Sequence, residues 1–241
     1  MIRSLQRKKE RDRLSLFVAE GSKTISELLP HFRCRTLFIT PSCSIDAKEY
    51  TGVEVVEVSR DELDRLSLLQ TPQDALALFE KRRSEDVSFD DMVLALDGVQ
   101  DPGNVGTIIR IADWYGIRHV VCGQDTADCY NPKTVQATMG SLARVNVVSV
   151  DSLARWLKAL PHDLPVYGTL LDGNDIYSQD LHCRSVIVMG SEGHGISNEV
   201  RKLLTAKLKI NPYPAGATTA ESLNVAIATA ITVAEFRRQV Q

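Results

Sequence analysis

From residue 92 onward the chain repeats one pattern: an apolar strand, a turn rich in glycine or polar residues, then a helix. Residues 92–96, 119–122, 145–150, 166–170, 185–189 and 206–210 read as strands. Residues 105–115, 131–142, 152–160, 197–204 and 221–238 read as helices. Strands alternating with helices at this spacing predict an α/β fold, a mostly parallel sheet with helices on both faces. Ligands of such sheets sit beyond the carboxyl ends of the strands. Function is therefore sought in the turns at those ends.

The first 80 residues are organised differently. Leu5, Leu14, Leu16 and Phe17 frame a basic segment, and a helix opens at Glu20-Gly21 and runs through Leu28-Leu29. Residues 36–40, 53–58 and 75–79 read as strands, the second with a β-branched bias. A helix begins at Ser59 or Arg60, with Asp61 and Glu62 suited to its first turn. Residues 81–91 form a polar, charged run without periodicity, the expected linker. The predicted organisation is a domain over 1–80, the linker over 81–91 and a second domain over 92–241.

Composition narrows the function. The 241 residues suffice for two modest domains. No apolar run approaches the roughly 20 residues of a membrane-spanning helix. The opening Met1-Ile2-Arg3-Ser4-Leu5-Gln6-Arg7-Lys8-Lys9 is too charged for a signal peptide, so a cytoplasmic location is expected. Five cysteines without a C-x-x-C pair, and five scattered histidines, give no metal-site spacing, so no metal is expected. The net charge of −3 argues against a general nucleic-acid binder, but its distribution is uneven. Residues 1–35 carry nine Lys/Arg against four Asp/Glu, while 36–100 carry six against fourteen. A basic patch at the start of the chain could hold a polyanion despite the acidic total; it could equally be a solvated helix.

Three turns could carry chemistry. In the first, residues 97–110, Asn104 could simply cap a helix and Arg110 pair with Asp113 one turn on. Alternatively, the free N–H groups of that helix start form an anion site over which Arg110 reaches back. The second, residues 189–197, has three glycines in the order G-x-x-G-x-G. That is neither the dinucleotide fingerprint nor a P-loop. A glycine turn with one carboxylate, Glu192, lets a ligand approach the backbone closely; Ser197 is placed to cap the next helix. In the third, residues 210–225, Thr218 and Glu221 fit a capping box. Ser222 and Asn224, polar residues early in an alanine-rich helix, either act as caps or face a site.

In this order the three turns resemble the three motifs of the SpoU (TrmH-like) family of RNA ribose 2′-O-methyltransferases, within the SPOUT superfamily. Asn104 with Arg110 resembles the first motif. Gly190-Ser191-Glu192-Gly193 with Gly195 resembles the second, and Ser222-Leu223-Asn224-Val225 the third. Thr138-Met139-Gly140-Ser141 resembles a recurrent segment between them, so the likeness spans residues 92–241. A second likeness, from Leu5, Lys8-Lys9 and Arg11 through Phe17-Val18-Ala19-Glu20-Gly21, is to the smaller α/β, ribosomal-protein-like substrate-binding domain of many members.

The resemblance implies a C-terminal trefoil knot, S-adenosylmethionine as cofactor, and a homodimer with the active site between subunits. Thr169, Gly190, Ile210 and Leu223 would then lie along the cofactor. Asn104, Arg110, Glu192, Ser222 and Asn224 would line the reacting centre. The family's Ile-Pro is here Ile210-Asn211-Pro212, followed by a longer loop through Ala215-Gly216-Ala217. Arg7, Lys8, Lys9, Arg11 and Arg13 are the expected phosphate contacts. Ribosomal RNA is favoured over transfer RNA as substrate because of the added N-terminal domain. A non-catalytic RNA-binding or ribosome-assembly protein is the other reading; such a protein has no need of Asn104, Arg110, Glu192 and Asn224 together.

Overall fold

In the computed structural model, which describes residues 1–46, 52–214 and 220–240, the strands fall into two sheets. Each sheet belongs to its own compact unit. The first unit is Met1–Arg83 with Asp128–Ala143, and the second is Ser84–Ala127 with Arg144–Gln241.

The first unit is built from α1 (Lys8–Leu14), β1 (Leu16–Glu20), α2 (Ser22–Leu28), β2 (Cys34–Ile39), β3 (Glu54–Glu57), α3 (Arg60–Leu66) and β4 (Ala75–Glu80). Its sheet order is β1-β4-β2-β3, with β4 antiparallel to both neighbours and β2 parallel to β3. Every residue of β1 is buried, so it shows no alternation, and sequence periodicity passed over it. Leu16, Val18, Leu76 and Leu78 pack with Leu5 and Leu63. The alternate residues Phe17 and Phe79 stack at 5.5 Å, with Phe32 edge-on to Phe17 at 5.2 Å. Ser59 caps α3 in a reciprocal box with Glu62, as its position predicts.

Residues 128–143, assigned by sequence to the second domain, join this unit through a buried arginine. Arg11 is 2% exposed. Its Nε and Nη2 donate to Asp128 Oδ2 at 3.0 and 2.6 Å, and its Nη1 donates to the carbonyls of Leu5 and Gln6 at 2.7 and 2.8 Å. Arg82 donates in turn to the carbonyls of Leu142 and Ala143. Within the segment, α5 (Pro132–Thr138) stops four residues short of the expected end. Met139 and Gly140 both take positive φ, 51° and 93°, which terminates a helix.

The second unit contains β5 (Val93–Asp97), α4 (Pro102–Trp114), β6 (His119–Cys122), β7 (Asn146–Ser149), α6 (Leu153–Lys158), β8 (Val166–Asp175), β9 (Val186–Gly190), α7 (Asn198–Arg201), β10 (Ala206–Lys209) and α8 (Val225–Arg238). The sheet is parallel throughout, in the order β10-β8-β9-β5-β6-β7. Val93, Ala95, Val186 and Val188 pack against Leu153 and Leu157 of α6 and Val200 of α7. The alternate residues Leu94, Leu96, Ile187 and Met189, also buried, point to the opposite face, where α4 and α8 pack together. Arg237 near the end of α8 binds Asp91 through two nitrogens and donates to the Tyr115 carbonyl at the end of α4. A cation there also suits the helix dipole. The expected linker is tethered: the Asn146 side chain donates to and accepts from the backbone of Glu85.

Strand order reverses beside β5: β6 and β7 lie on one side of it, β9 and β8 on the other. Asp97 and Gly190 end the two strands in register. The switch point of this sheet, where open α/β sheets hold their ligands, lies between them.

Removing one partner of a buried ion pair leaves the other charge stranded. Arg11→Met is expected to lower stability by about 3–5 kcal/mol, read by denaturant unfolding. Arg7→Ala, at an exposed position nearby, is expected to stay within about 0.5 kcal/mol of the parent.

Candidate active site

Two helix starts and a glycine turn meet at the switch point. The first is the start of α4. Asp101, rather than Asn104, is its N-cap: Asp101 Oδ1 accepts the Asn104 N–H at 2.8 Å, and Pro102 occupies the first turn. An N-cap aspartate followed by proline is a helix-start signal readable in sequence. With the cap supplied by Asp101, the Asn104 side chain is released to other partners.

The second is the glycine turn after β9. Ser191 and Gly195 exchange two backbone hydrogen bonds, at 3.1 and 2.8 Å, which closes the turn. A side chain at Gly190 would collide with the backbone of Gly195 and Ile196, so only glycine permits this approach. Gly195 sits at φ 64°, where a Cβ is disfavoured. Asp97, a residue that sequence reasoning missed, anchors the far side: its Oδ2 accepts the Ser197 N–H at 2.6 Å. Ser197 stands at the N-cap of α7 but makes no side-chain cap bond.

The third is the start of α8. The helix begins at Val225, four residues later than periodicity suggested, because Asn224 is its N-cap. Asn224 Oδ1 accepts the N–H groups of Ala226 and Ile227 at 3.0 and 3.3 Å. Asn224 thus supplies the cap of α8; the expected capping box of Thr218 and Glu221 rests on Thr218, which lies outside the described residues, as do Ala215, Gly216 and Ala217.

These pieces converge on Glu192. Its Oε1 accepts from Asn104 Nδ2 at 3.0 Å, from Asn224 Nδ2 at 2.7 Å and from the Val225 N–H at 3.4 Å. Asn224 Nδ2 also donates to Asn104 Oδ1 at 2.9 Å, closing a triangle. All three bonds to the carboxylate fall on Oε1. Glu192 Oε2 takes no hydrogen bond among the described residues, and the side chain is exposed.

Arg110, two turns into α4, is exposed and takes no ion pair or hydrogen bond among the described residues. The bland pairing with Asp113 does not form. Asp113 is held instead by Arg144, Nε to Oδ1 at 2.9 Å and Nη2 to Oδ2 at 2.8 Å. Ser222 is exposed and unbonded among the described residues.

Of the residues expected along a cofactor, Thr169 is half-buried and its hydroxyl lies 3.5 Å from Met189 Sδ. It opens a bulge: β10 pairs Lys207 with Gly168 and then Leu208 with Asn174, so residues 169–173 leave the ladder. Gly173 returns against the backbone of Leu208, too close for a Cβ. Gly190 ends β9, Ile210 follows β10 half-buried, and Leu223 precedes the α8 cap with 48% exposure. A cavity of about 230 Å³ lies elsewhere, at the carboxyl ends of β5, β6 and β7. Asp97, Asp125, Asp151 and Glu199 line it, and their carboxylates make it a poor place for phosphate.

The expected phosphate contacts are divided by the structure. Arg11 is buried on Asp128 and unavailable to a phosphate, a correction that follows from its four internal bonds. Lys8 is paired with Asp12 and Arg13 with Glu10, both at 2.7 Å. Arg7 and Lys9 are exposed and unpaired among the described residues. No group of three His, Cys, Asp or Glu that could hold a metal is found among the described residues. No helix there is long and apolar enough to cross a membrane.

A parallel sheet carrying a hydrogen-bonded asparagine–glutamate–asparagine cluster at its switch point can now be set beside known proteins. The chain belongs to the SpoU rRNA methylase family, whose model matches residues 91–234; an MRM3-like substrate binding domain matches residues 1–77. It is 34% identical to the 23S rRNA (guanosine(2553)-2′-O)-methyltransferase RlmP of Bacillus subtilis, over 98% of this chain and 94% of that one. Among solved structures it is similar to a TrmH-family protein from Porphyromonas gingivalis, with 43% identity, TM-score 0.88, and 99% and 96% of the two chains covered. It is also similar to an AdoMet-bound rRNA methyltransferase from Sinorhizobium meliloti, with 33% identity, TM-score 0.86, and 100% and 94% covered.

Asn224 has two separable tasks, capping α8 and donating to Glu192. Asn224→Ala is expected to lose about 1 kcal/mol of stability through the cap. Asn224→Ser, which keeps a capping oxygen but no amide donor, is expected to recover that stability in urea unfolding. Both variants are expected to lose turnover.

Proposed function

We propose that this chain methylates a ribose 2′-hydroxyl of ribosomal RNA with S-adenosylmethionine, using the cluster centred on Glu192 and the free cation Arg110. The observation that carries this reading is the bonding of Glu192: among the described residues all three donors fall on Oε1 and none on Oε2. Thr169, Gly190, Ile210 and Leu223 would hold the cofactor, in loops threaded as the family's trefoil knot. They fit a nucleoside: strand-end backbone supplies polar groups, and the exposed Leu223 supplies apolar cover. When bound, the cofactor supplies an electrophilic methyl on a sulfonium.

The chain's own residues then align the hydroxyl and manage its proton. Arg110 stabilises the alkoxide character that develops on the 2′-oxygen and holds a neighbouring phosphate; a guanidinium is a permanent cation and therefore a poor base. Glu192 Oε2 accepts the hydroxyl proton. Asn104 and Asn224 fix the carboxylate through Oε1, so that Oε2 is the oxygen presented. Ser222 contacts the ribose. The exposed Ile227 of α8, with Ile231 one turn on, meets a second copy of the chain, and the working form is a homodimer.

The two units divide the labour, the second holding the cofactor and the first, a ribosomal-protein-like domain, choosing the RNA with Arg7 and Lys9. Transfer of labelled methyl to unmodified 23S rRNA, 16S rRNA and tRNA transcripts, with the modified nucleotide mapped, tests the whole. Label on tRNA alone would favour the transfer-RNA reading, and cofactor binding without any transfer a non-catalytic one.

Arg110→Ala is expected to bind S-adenosylmethionine normally and lose turnover by about a hundred-fold, the usual cost of a lost transition-state donor. Arg110→Lys is expected not to restore it. The double variant Arg7→Ala, Lys9→Ala is expected to keep kcat, bind RNA more weakly, and show a slope of log affinity against log salt reduced by roughly 1.4–1.8.

A further inference from the structure

The bulge that begins at Thr169 is held by something other than the sheet. β10 pairs Lys207 with Gly168 and its next residue, Leu208, with Asn174, while β9 pairs with β8 only as far as Gly168. Residues 169–173 therefore stand outside both ladders, and a run of that kind would ordinarily be loose. Its fourth residue fastens it. Asp172 Oδ2 accepts from Arg201 Nη2 at 2.8 Å and from Lys207 Nζ at 3.2 Å. The hydrogen bond from Lys207 and the two nearby cations hold the Asp172 carboxyl below its ordinary range, so it is charged at neutral pH. The cations come from different elements. Arg201 ends α7, which follows the glycine turn from Gly190 to Ser197, and Lys207 lies in β10, which runs out to Ile210. Gly168, where the bulge departs, lies under the side chains of Ile196 and Leu204. One carboxylate thus joins the stretches that carry Thr169, Gly190 and Ile210. The remaining stretch, at Leu223, adjoins Asn224, which Glu192 fixes.

We propose that Asp172 is a positioning residue for S-adenosylmethionine: it ties the bulge carrying Thr169 to α7 and β10 and so preforms the cofactor site. The inference rests on the functional reading above and adds the residue that orders the site before the cofactor arrives. A site whose walls are already fixed binds more tightly, because less conformational freedom is lost on binding. The fold itself does not depend on the tie. β10 is held to β8 by ladder pairs on both sides of the bulge, at Ala206 and Lys207 and again at Leu208 and Lys209. Losing Asp172 therefore loosens residues 169–173 and leaves the sheet in place. The size of the effect follows from exposure. A single solvent-exposed ion pair is worth a factor of roughly 1.4–5, so two lost together predict about a three- to ten-fold change.

The test uses the full chain and titrates S-adenosylmethionine alone, by calorimetry, without RNA. Asp172→Ala is expected to raise Kd about three- to ten-fold and to raise KM for the cofactor in step. Its kcat at saturating cofactor and its urea midpoint are expected to stay near the parental values. Raising KCl to about 1 M, where the Debye length falls to about 3 Å, is expected to close most of the gap between parent and variant. Without cofactor, the amides of residues 170–173 are expected to exchange faster in Asp172→Ala than in the parent. The double variant Arg201→Ala, Lys207→Ala removes the tie from its other end and is expected to match Asp172→Ala. Adding Asp172→Ala to that pair is expected to change Kd no further. A parental Kd in Asp172→Ala would overturn the inference, as would a parental Kd in the double variant should Asp172→Ala not fold. So would a gap that salt leaves unchanged, or losses that add in the triple variant, since either assigns Asp172 an effect of its own apart from the tie. Failure of the parent itself to bind S-adenosylmethionine is the separate result that removes the functional reading.

Discussion

One carboxylate oxygen organises the site. Glu192 Oε1 gathers an amide from α4, an amide from the cap of α8 and the first free N–H of that helix. Two helices that pack on the same face of the sheet are thereby tied to the glycine turn that ends β9. The arrangement places a negative charge at the N-terminus of α8, where the helix dipole favours it. It also spends the acceptor capacity of one oxygen, so that the carboxylate has a defined inner and outer side. An asparagine at each flank is suited to this, since it donates to the carboxylate and accepts from its neighbour without adding charge.

The backbone around the cluster is constrained to match. Gly190 lets the turn close on itself, Asp97 holds the Ser197 amide, and Asp101 takes over the cap that Asn104 would otherwise provide. Each of these frees a side chain for the site or fixes the loop that carries one. In this SpoU-family methyltransferase, the polar residues with local structural work are therefore mostly neighbours of the site residues. Asn224 is the exception, since its two ends serve the helix and the cluster at once.

Much of this was readable in the chain. Near-continuous apolar runs such as residues 92–96 and 185–189 announced a parallel sheet, and Ser59 with Asp61 and Glu62 after it announced a helix start. The motif residues Asn104, Glu192 and Asn224 stood out because the three turns that carry them resemble, in order, the motifs of one family. Their mutual contact was not readable, because it joins positions 88 and 120 residues apart through strand order. The start of α8 was misjudged for a local reason: Glu221 and Ser222 have acceptable helix propensity, and only the cap geometry of Asn224 decides the boundary. Strand β1 was missed because burial on both sides erases periodicity. The loss of Arg11 from the expected phosphate contacts had the same root, since composition cannot distinguish a solvated arginine from one folded onto a distant aspartate.

That arginine also bears on how the chain is made. Because residues 128–143 complete the first unit, the polypeptide passes between the units three times, at 83–84, 127–128 and 143–144. During synthesis the first 83 residues emerge with Arg11 lacking its anion, and the ring of Tyr130 has yet to reach Phe17. The amino-terminal unit therefore cannot finish folding before part of its neighbour has been translated. A fragment cut at residue 83 carries an unmet charge in its core, so the two units are separate in architecture yet inseparable in their order of assembly.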